Sequence, residues 1–411
     1  MDQHVAIIGA GQAGASLALR LRAGGFGGPI TIYGEEAWPP YQRPPLSKRY
    51  LSGEWPADRL SLKPPQAWRE LGVEIVTQAR VEAIDPERRR LRVGGVEVGW
   101  SKLALTTGTR PRPTPPQLAG IGGVHVLRAI ADVEALRPHF APGRRALIVG
   151  GGYVGLETAA VAAGMGLHVT VVERAGRILE RVACEDASRI VRTLHQRHGV
   201  RIVEGRVVVA AHGGERLSGV TLDDGERLDV DFAVVGVGVA PRDELARAAG
   251  LDCRDGVLVD GHGRTGAPGV WAAGDCANFP LHGERVRLES VQNAVDQAEC
   301  AADDMLGRSR LYAPTPWFWS DQYDMKLQMV GLARGADATV RLRSGQGESL
   351  WRFAGGTLVG VTAINDSRIY MAARKLLESG RAPSLEEASR EGFDPVAWLK
   401  RGGAPKALAT A

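Results

Sequence analysis

The sequence predicts an α/β protein built on two Rossmann-like dinucleotide-binding units. Two glycine fingerprints carry that prediction, Gly9-Ala10-Gly11-Gln12-Ala13-Gly14 and Gly150-Gly151-Gly152-Tyr153-Val154-Gly155. Each follows a short apolar run, and each opens an alanine-rich amphipathic stretch. Glycine is common here, 53 of 411 residues, so a single string of this kind is a weak signal. Two copies with the same strand, turn and helix flanks are a strong one. An ordinary glycine turn beside an exposed acid accounts for either copy alone, but poorly for both.

Taken in order, Val5-Ala6-Ile7-Ile8 reads as a parallel strand buried on both faces. The helix after it opens at the glycines. Gly9 permits the tight turn, Gly11 lets the backbone approach a pyrophosphate, and Gly14 allows close helix-to-strand packing, with phosphate at the positive end of the helix. The run Ile30-Thr31-Ile32-Tyr33 leads to Glu35, placed to accept hydrogen bonds from a ribose. The loop from Trp38 to Lys48 then carries four prolines, with Arg43 and Lys48 as cations on a stiff scaffold. Such cations suit a pyrophosphate or an electron-rich ring, although a plain proline-rich surface loop describes the segment equally well.

The second fingerprint repeats the pattern. Ala146-Leu147-Ile148-Val149 enters it, Gly150, Gly152 and Gly155 take the three glycine roles, and Val169-Thr170-Val171-Val172 leads to Glu173. A carboxylate there favours a free 2′-hydroxyl and repels a 2′-phosphate, so NADH is expected over NADPH, with the adjacent Arg174 softening the preference. Later, Gly269-Val270-Trp271-Ala272-Ala273-Gly274-Asp275 is a strand running into a Gly-Asp turn, whose short acid can accept from a sugar-like hydroxyl. In flavoproteins that hydroxyl belongs to the ribityl chain. Two dinucleotide sites in one chain point to a flavoprotein fed by a nicotinamide.

Composition agrees and excludes more than it selects. The length favours two or three domains, and 44% hydrophobic with 24% charged residues is ordinary for a soluble protein. No run approaches the ~18 uninterrupted apolar residues of a membrane helix, and no signal-peptide pattern opens the chain, so a cytoplasmic protein without membrane attachment is expected. A net charge of +4 is too modest to imply nucleic acid, yet is compatible with a small acidic protein partner. Cys184, Cys253, Cys276 and Cys300 are scattered, without C-x-x-C or C-x-x-x-x-C, which argues against a flavin-linked redox disulfide, an iron–sulfur cluster or a metal site. His195 and His198 lie three apart on a predicted helix and read as a solvated face.

Several strings together resemble the putidaredoxin reductase family: Arg43-Pro44-Pro45-Leu46-Ser47-Lys48, Gly150-Gly151-Gly152-Tyr153-Val154-Gly155-Leu156-Glu157, Ala272-Ala273-Gly274-Asp275, Leu288-Glu289-Ser290-Val291-Gln292-Asn293-Ala294, and Pro316-Trp317-Phe318-Trp319-Ser320-Asp321-Gln322-Tyr323. They cover almost the whole chain in the family's order. The resemblance implies a glutathione-reductase-like pair of Rossmann-type domains plus a C-terminal α+β domain. It gives an FAD-binding domain from residues 1–112 and 241–317, an NAD-binding domain from 113–240, and a C-terminal domain from 318–411. The position of the Gly-Asp element after the second fingerprint supports that insertion.

Carried over position by position, the resemblance places Ala13, Glu35, Lys48, Val81, Arg128, Asp275 and Val291 around FAD, with Lys48 near flavin N5. Glu157 matches the acid beside the nicotinamide, Glu173 the ribose acceptor, and Gly238 a turn passing the cofactor; Glu289 is a further candidate near the nicotinamide. Trp319 resembles the aromatic packed near the flavin, with Trp317 beside it, although a bland core reading of this pair is also open. Thr106-Thr107-Gly108 replaces the family's usual Ala-Thr-Gly crossover.

The implied activity is hydride transfer from NADH to FAD, then single-electron transfer to a [2Fe–2S] ferredoxin serving a cytochrome P-450 or a Rieske-type, ring-hydroxylating dioxygenase. Lys48, Glu157 and Trp319 are expected at the reacting groups. Arg308, Arg310, Arg334, Arg341 and Arg343 form a candidate positive rim for an acidic ferredoxin, or else an ordinary solvated charge distribution. Two alternatives share the architecture: a flavin NADH oxidase or rubredoxin-type reductase, and a redox-sensing interaction protein resembling apoptosis-inducing factor.

Overall fold

The computed structural model describes residues 3–345 and 347–402. The chain divides into two compact units, Met1–Arg112 with Val239–Pro314, and Pro113–Gly238 with Thr315–Ala411.

In the first unit, Val5–Ile8 is buried at all four positions because it lies inside a parallel sheet. The strand order is Val270–Ala272, Lys102–Leu105, Val5–Ile8, Ile30–Tyr33, Val73–Val76. Helix Gln12–Ala23 packs against the late helix Val291–Met305, and alanines on both (Ala15, Ala18, Ala298, Ala302) let the two backbones approach closely in one core. A three-stranded antiparallel sheet, Val81–Asp85, Arg90–Val93 and Val96–Gly99, completes the middle of this unit.

The second unit repeats the theme. Its parallel sheet runs Arg201–Glu204, His168–Glu173, Arg145–Val149, Phe232–Val235, Val124–His125. The fingerprint helix is Tyr153–Gly164. Its C-terminal part is the expected α+β element: an antiparallel sheet in the order Trp317–Gln322, Met325–Gly331, Thr357–Ile364, Gly347–Ala354, Ala338–Ser344. Helix Ser367–Glu378, capped by the Asp366 carboxylate on the Ile369 N–H at 3.0 Å, covers one face, its Tyr370 sharing a core with Trp351 and Phe353 of the sheet. Leu156 of the fingerprint helix shares a core with Met325 and Leu327. Among the described residues no helix is long and apolar enough to cross a membrane.

Candidate functional site

The two fingerprints have the same local geometry, and it assigns a different reason to each glycine. Gly9 and Gly150 sit at φ +117° and +110°, and a Cβ there would meet the carbonyl oxygens of Thr106 and Gly236 at 2.2 and 2.4 Å. At Gly14 and Gly155 a Cβ would lie 2.2 Å from the Gly9 and Gly150 carbonyl oxygens. Protein packing therefore demands those four glycines. At Gly11 and Gly152 no protein atom lies within 4 Å of a Cβ, so nothing in the protein explains them. Open space at a helix N-terminus with no side-chain cap fits a pyrophosphate drawn close to the backbone. Thr106 adds to the first turn: its hydroxyl donates to the Ile8 and Gly9 carbonyls at 3.1 and 3.0 Å, so the departure from the family's alanine reinforces the turn.

The first unit brings Ala13 and the Gly-Asp turn together. Gly274, at φ +80°, packs so closely that a Cβ would meet the Ala13 Cβ at 2.9 Å, and its N–H donates to Gln297 Oε1 at 2.8 Å. Asp275 follows, half-buried, within the electrostatic reach of Arg43. Arg43 itself is answered by Glu36 at 2.5 Å and donates to the Tyr41 hydroxyl at 2.9 Å, while Tyr41 donates to Glu36 at 2.6 Å. Burial pushes the Glu36 carboxyl up, but the Arg43 charge and these hydrogen bonds outweigh it and hold it below the usual range. The sequence reading missed Glu36 and Tyr41 as the groups that fix this cation. Lys48 donates to the Pro44 carbonyl at 3.2 Å, just past the short helix Pro44–Ser47 that the prolines nucleate.

Glu35 pairs with Arg242, a partner that sequence spacing could not reveal. Val81 is buried at the start of its strand, and Val291 opens its helix after the Ser290 cap. Glu289 is exposed and paired with Arg287 at 2.8 Å.

The second unit holds the remaining candidates. Both Glu173 oxygens accept backbone N–H groups, from Gly151 at 2.6 Å and Ala175 at 2.7 Å, which locks the carboxylate beside the fingerprint while each oxygen keeps a lone pair for a hydroxyl. Arg174 is exposed. Gly238 takes φ +96°, and the Arg128 N–H donates to Asp132 at 2.8 Å. Trp319 is half-buried on Trp317–Gln322, with its ring 5.7 Å from that of Trp317. Glu157 is only 5% exposed, and Ser320 donates to it at 2.6 Å.

One expectation needs correction. His195 is fully buried, hydrogen-bonded to Gln322 Oε1 at 2.8 Å, and only His198 lies on the solvated face, stacked on Tyr323 at 3.7 Å. The three-residue spacing hid this because the strand that covers His195 is distant in sequence. Of the arginines in the candidate rim, Arg310 pairs with buried Asp303 and Arg341 with Glu348.

All four cysteines are free. Burial raises the thiols of Cys253 and Cys276 and pushes Cys300 up to about 11, so these three are poor thiolates. Among the described residues no cluster of His, Cys, Asp and Glu could hold a metal.

A family model described as pyridine nucleotide-disulphide oxidoreductase matches residues 3–298, and a second, described as reductase C-terminal, matches residues 317–400. The chain belongs to the pyridine nucleotide-disulphide oxidoreductase family, in the branch that carries a C-terminal reductase domain. Within it, the chain is 41% identical to rhodocoxin reductase of Rhodococcus erythropolis over 95% of this chain and 93% of that one. It is 37% identical to putidaredoxin reductase of Pseudomonas putida, over 82% of each. The solved covalent putidaredoxin reductase–putidaredoxin complex matches with a TM-score of 0.94 at 32% identity, covering 97% of this chain and 98% of that one. A ferredoxin reductase for the CYP199A2 system of Rhodopseudomonas palustris also matches with a TM-score of 0.94, at 37% identity over 98% and 100%. The resemblance read from the motifs is thus borne out.

Proposed function

We propose that the chain is an NADH-dependent, FAD-containing ferredoxin reductase, passing electrons to a [2Fe–2S] ferredoxin that serves a cytochrome P-450 or a ring-hydroxylating dioxygenase in the cytoplasm. The observation that carries this reading is the pair of fingerprints whose middle glycines face open space, in a chain whose cysteines are unpaired. When bound, FAD accepts a hydride from NADH and releases electrons singly, which is why a flavin stands between a two-electron donor and a one-electron acceptor.

The chain's residues then bind, orient and tune. Gly9, Gly11, Ala13 and Gly14 would cradle the FAD pyrophosphate, Glu35 its ribose and Asp275 its ribityl chain. Arg43, Val81, Arg128, Val291 and Trp319 would complete that site, with Lys48 stabilising negative charge on the ring. Gly150, Gly152, Gly155, Glu173, Gly238 and Glu289 would hold NADH, and the Glu157 carboxylate would face the nicotinamide. We assign FAD to the segments 1–112 and 241–317, NAD to 113–240, and the C-terminal domain to 318–411.

The test is NADH-driven cytochrome c reduction by the purified flavoprotein against a panel of [2Fe–2S] proteins. Turnover that requires one of them is expected. Rapid oxygen consumption without any of them would favour an oxidase instead.

A further inference from the structure

The buried carboxylate of Glu157 does not stand alone. Ser320 donates to Glu157 Oε1 at 2.6 Å, Gln322 Nε2 donates to Ser320 Oγ at 3.1 Å, and His195 Nε2 faces Gln322 Oε1 at 2.8 Å. The Tyr323 hydroxyl meets His195 Nδ1 at 3.3 Å. Three elements supply Glu157, Ser320, Gln322 and His195, namely the fingerprint helix Tyr153–Gly164, the strand Trp317–Gln322 and the helix Glu185–Arg197, and Tyr323 lies in the turn after that strand. Ser320, Gln322 and His195 are each at most 1% exposed, so none of them is open to bulk water.

The direction of the chain follows from what each group can do. An ionised carboxylate only accepts, so the single Ser320 proton is used on Glu157. Ser320 Oγ is then left to accept from the Gln322 amide N–H, and Gln322 Oε1 must accept, which requires a proton on His195 Nε2. Nδ1 of the same neutral ring then accepts from Tyr323. Every donor points toward Glu157. Burial holds the His195 imidazole below its ordinary range, the Gln322 contact opposes this and His198 reinforces it, so the ring stays neutral and keeps this order.

We propose that Ser320, Gln322 and His195 are positioning residues for the hydride step, a one-way hydrogen-bond chain that orients the Glu157 carboxylate toward the nicotinamide. This rests on the assignment of Glu157 to the nicotinamide given above. Hydride loss leaves the nicotinamide ring positively charged, and a carboxylate favours that charge best when its orientation is fixed in advance. Alternation along the strand gives the chain a second consequence: Ser320 and Gln322 share one face, and Trp317 and Trp319 the other. One strand therefore both anchors Glu157 and presents Trp319.

The test uses the FAD-loaded protein and three readouts. In rapid mixing with NADH, Ser320→Ala should lower the limiting rate of flavin reduction on the order of ten-fold, the loss expected when a charge-assisted hydrogen bond is removed. Gln322→Leu should lower it several-fold, and Ser320→Thr, which keeps the hydroxyl, should recover most of the rate. In calorimetric titration of the oxidised protein with NAD+, Ser320→Ala should bind more weakly than the parent. With 15N-histidine labelling, His195 should show a protonated Nε2 and a bare Nδ1 at neutral pH. The opposite tautomer or an imidazolium would overturn the chain's direction, and with it the proposal. Parent-like rates in Ser320→Ala and Gln322→Leu beside a slow Glu157→Ala would overturn the positioning role alone. A parent-like Glu157→Ala would overturn the nicotinamide assignment first and this proposal with it.

Discussion

Alanine at Gly14 and at Gly11 should give opposite phenotypes, although the two sites are three residues apart on one turn. A Cβ at Gly14 would lie 2.2 Å from the Gly9 carbonyl oxygen and 2.9 Å from Thr106 Oγ1. Ordinary contact begins near 3.4 Å, so the helix must retreat by about 1.2 Å against backbone that cannot rotate away. Overpacking of this kind costs about 1–3 kcal/mol, and the higher helix propensity of alanine returns at most about 1 kcal/mol. At roughly 2–4 °C per kcal/mol for a unit of this size, the apoprotein Tm should fall by several degrees. Gly11 has φ −97°, which alanine adopts readily, and no protein atom near its Cβ, so Gly11→Ala should lose only the few tenths to about 1 kcal/mol of a poorer cap. Its methyl would instead occupy the approach of the pyrophosphate, and flavin affinity should drop at least ten-fold. The assay is paired: scanning fluorimetry on the apoprotein, and the flavin-to-protein absorbance ratio after reconstitution. A Gly11→Ala protein that retains full flavin affinity, or a Gly14→Ala apoprotein as stable as the parent, would refute the reasoning.

Other expectations follow from the same geometry. Gly152→Ala should leave flavin bound and weaken NADH in steady-state titrations. Glu173→Ala should narrow the NADH/NADPH ratio of kcat/KM, since it removes the charge proposed to reject a 2′-phosphate; an unchanged ratio would count against the carboxylate. Lys48→Met should slow flavin reduction by NADH in stopped flow, and a parent-like rate would remove its electrostatic role. Asp304 accepts from Arg264 at 2.7 Å, Ser309 at 2.5 Å and Trp271 at 2.9 Å; burial raises its carboxyl, but these donors win and hold it below the ordinary range. A depressed folded-state pKa means stability present above the unfolded pKa and lost as pH falls through the folded one. Asp304→Asn should therefore cost about 2 kcal/mol at neutral pH, less than a fully buried pair because Arg264 is half-exposed, and should flatten acid unfolding below about pH 4. Chemical denaturation at pH 7 and pH 3 measures both.

The chain's local chemistry was legible wherever it was written in consecutive residues. Gly9 to Gly14 and Gly150 to Gly155 announce their strand, turn and helix because packing clashes leave no other residue type at Gly9, Gly14, Gly150 and Gly155. Glu173 was legible because the end of the next strand is a fixed distance along a βαβ unit. What stayed hidden depends on long-range closure. Arg242 opposite Glu35, Glu36 behind Arg43, and the strand carrying Ser320 and Gln322 over His195 are joined only by the tertiary fold. His195 was misread for that reason: a helix face looks solvated until the element that covers it is known. Trp317 and Trp319 were legible as candidates, whereas Ser320 and Gln322, in the same motif string, gave no hint that they contact Glu157 and His195.

The central claim is that electrons leave the flavin singly without passing through sulfur. It is tested most directly by treating the FAD-loaded protein with a thiol-alkylating reagent and measuring ferredoxin-dependent cytochrome c reduction by NADH. Half-buried Cys184 and Cys253 are the thiols a reagent can reach, Cys253 the slower because burial raises its thiol, and buried Cys276 and Cys300 are out of reach. The account predicts full turnover after those two are blocked; activity that falls in step with alkylation would contradict it.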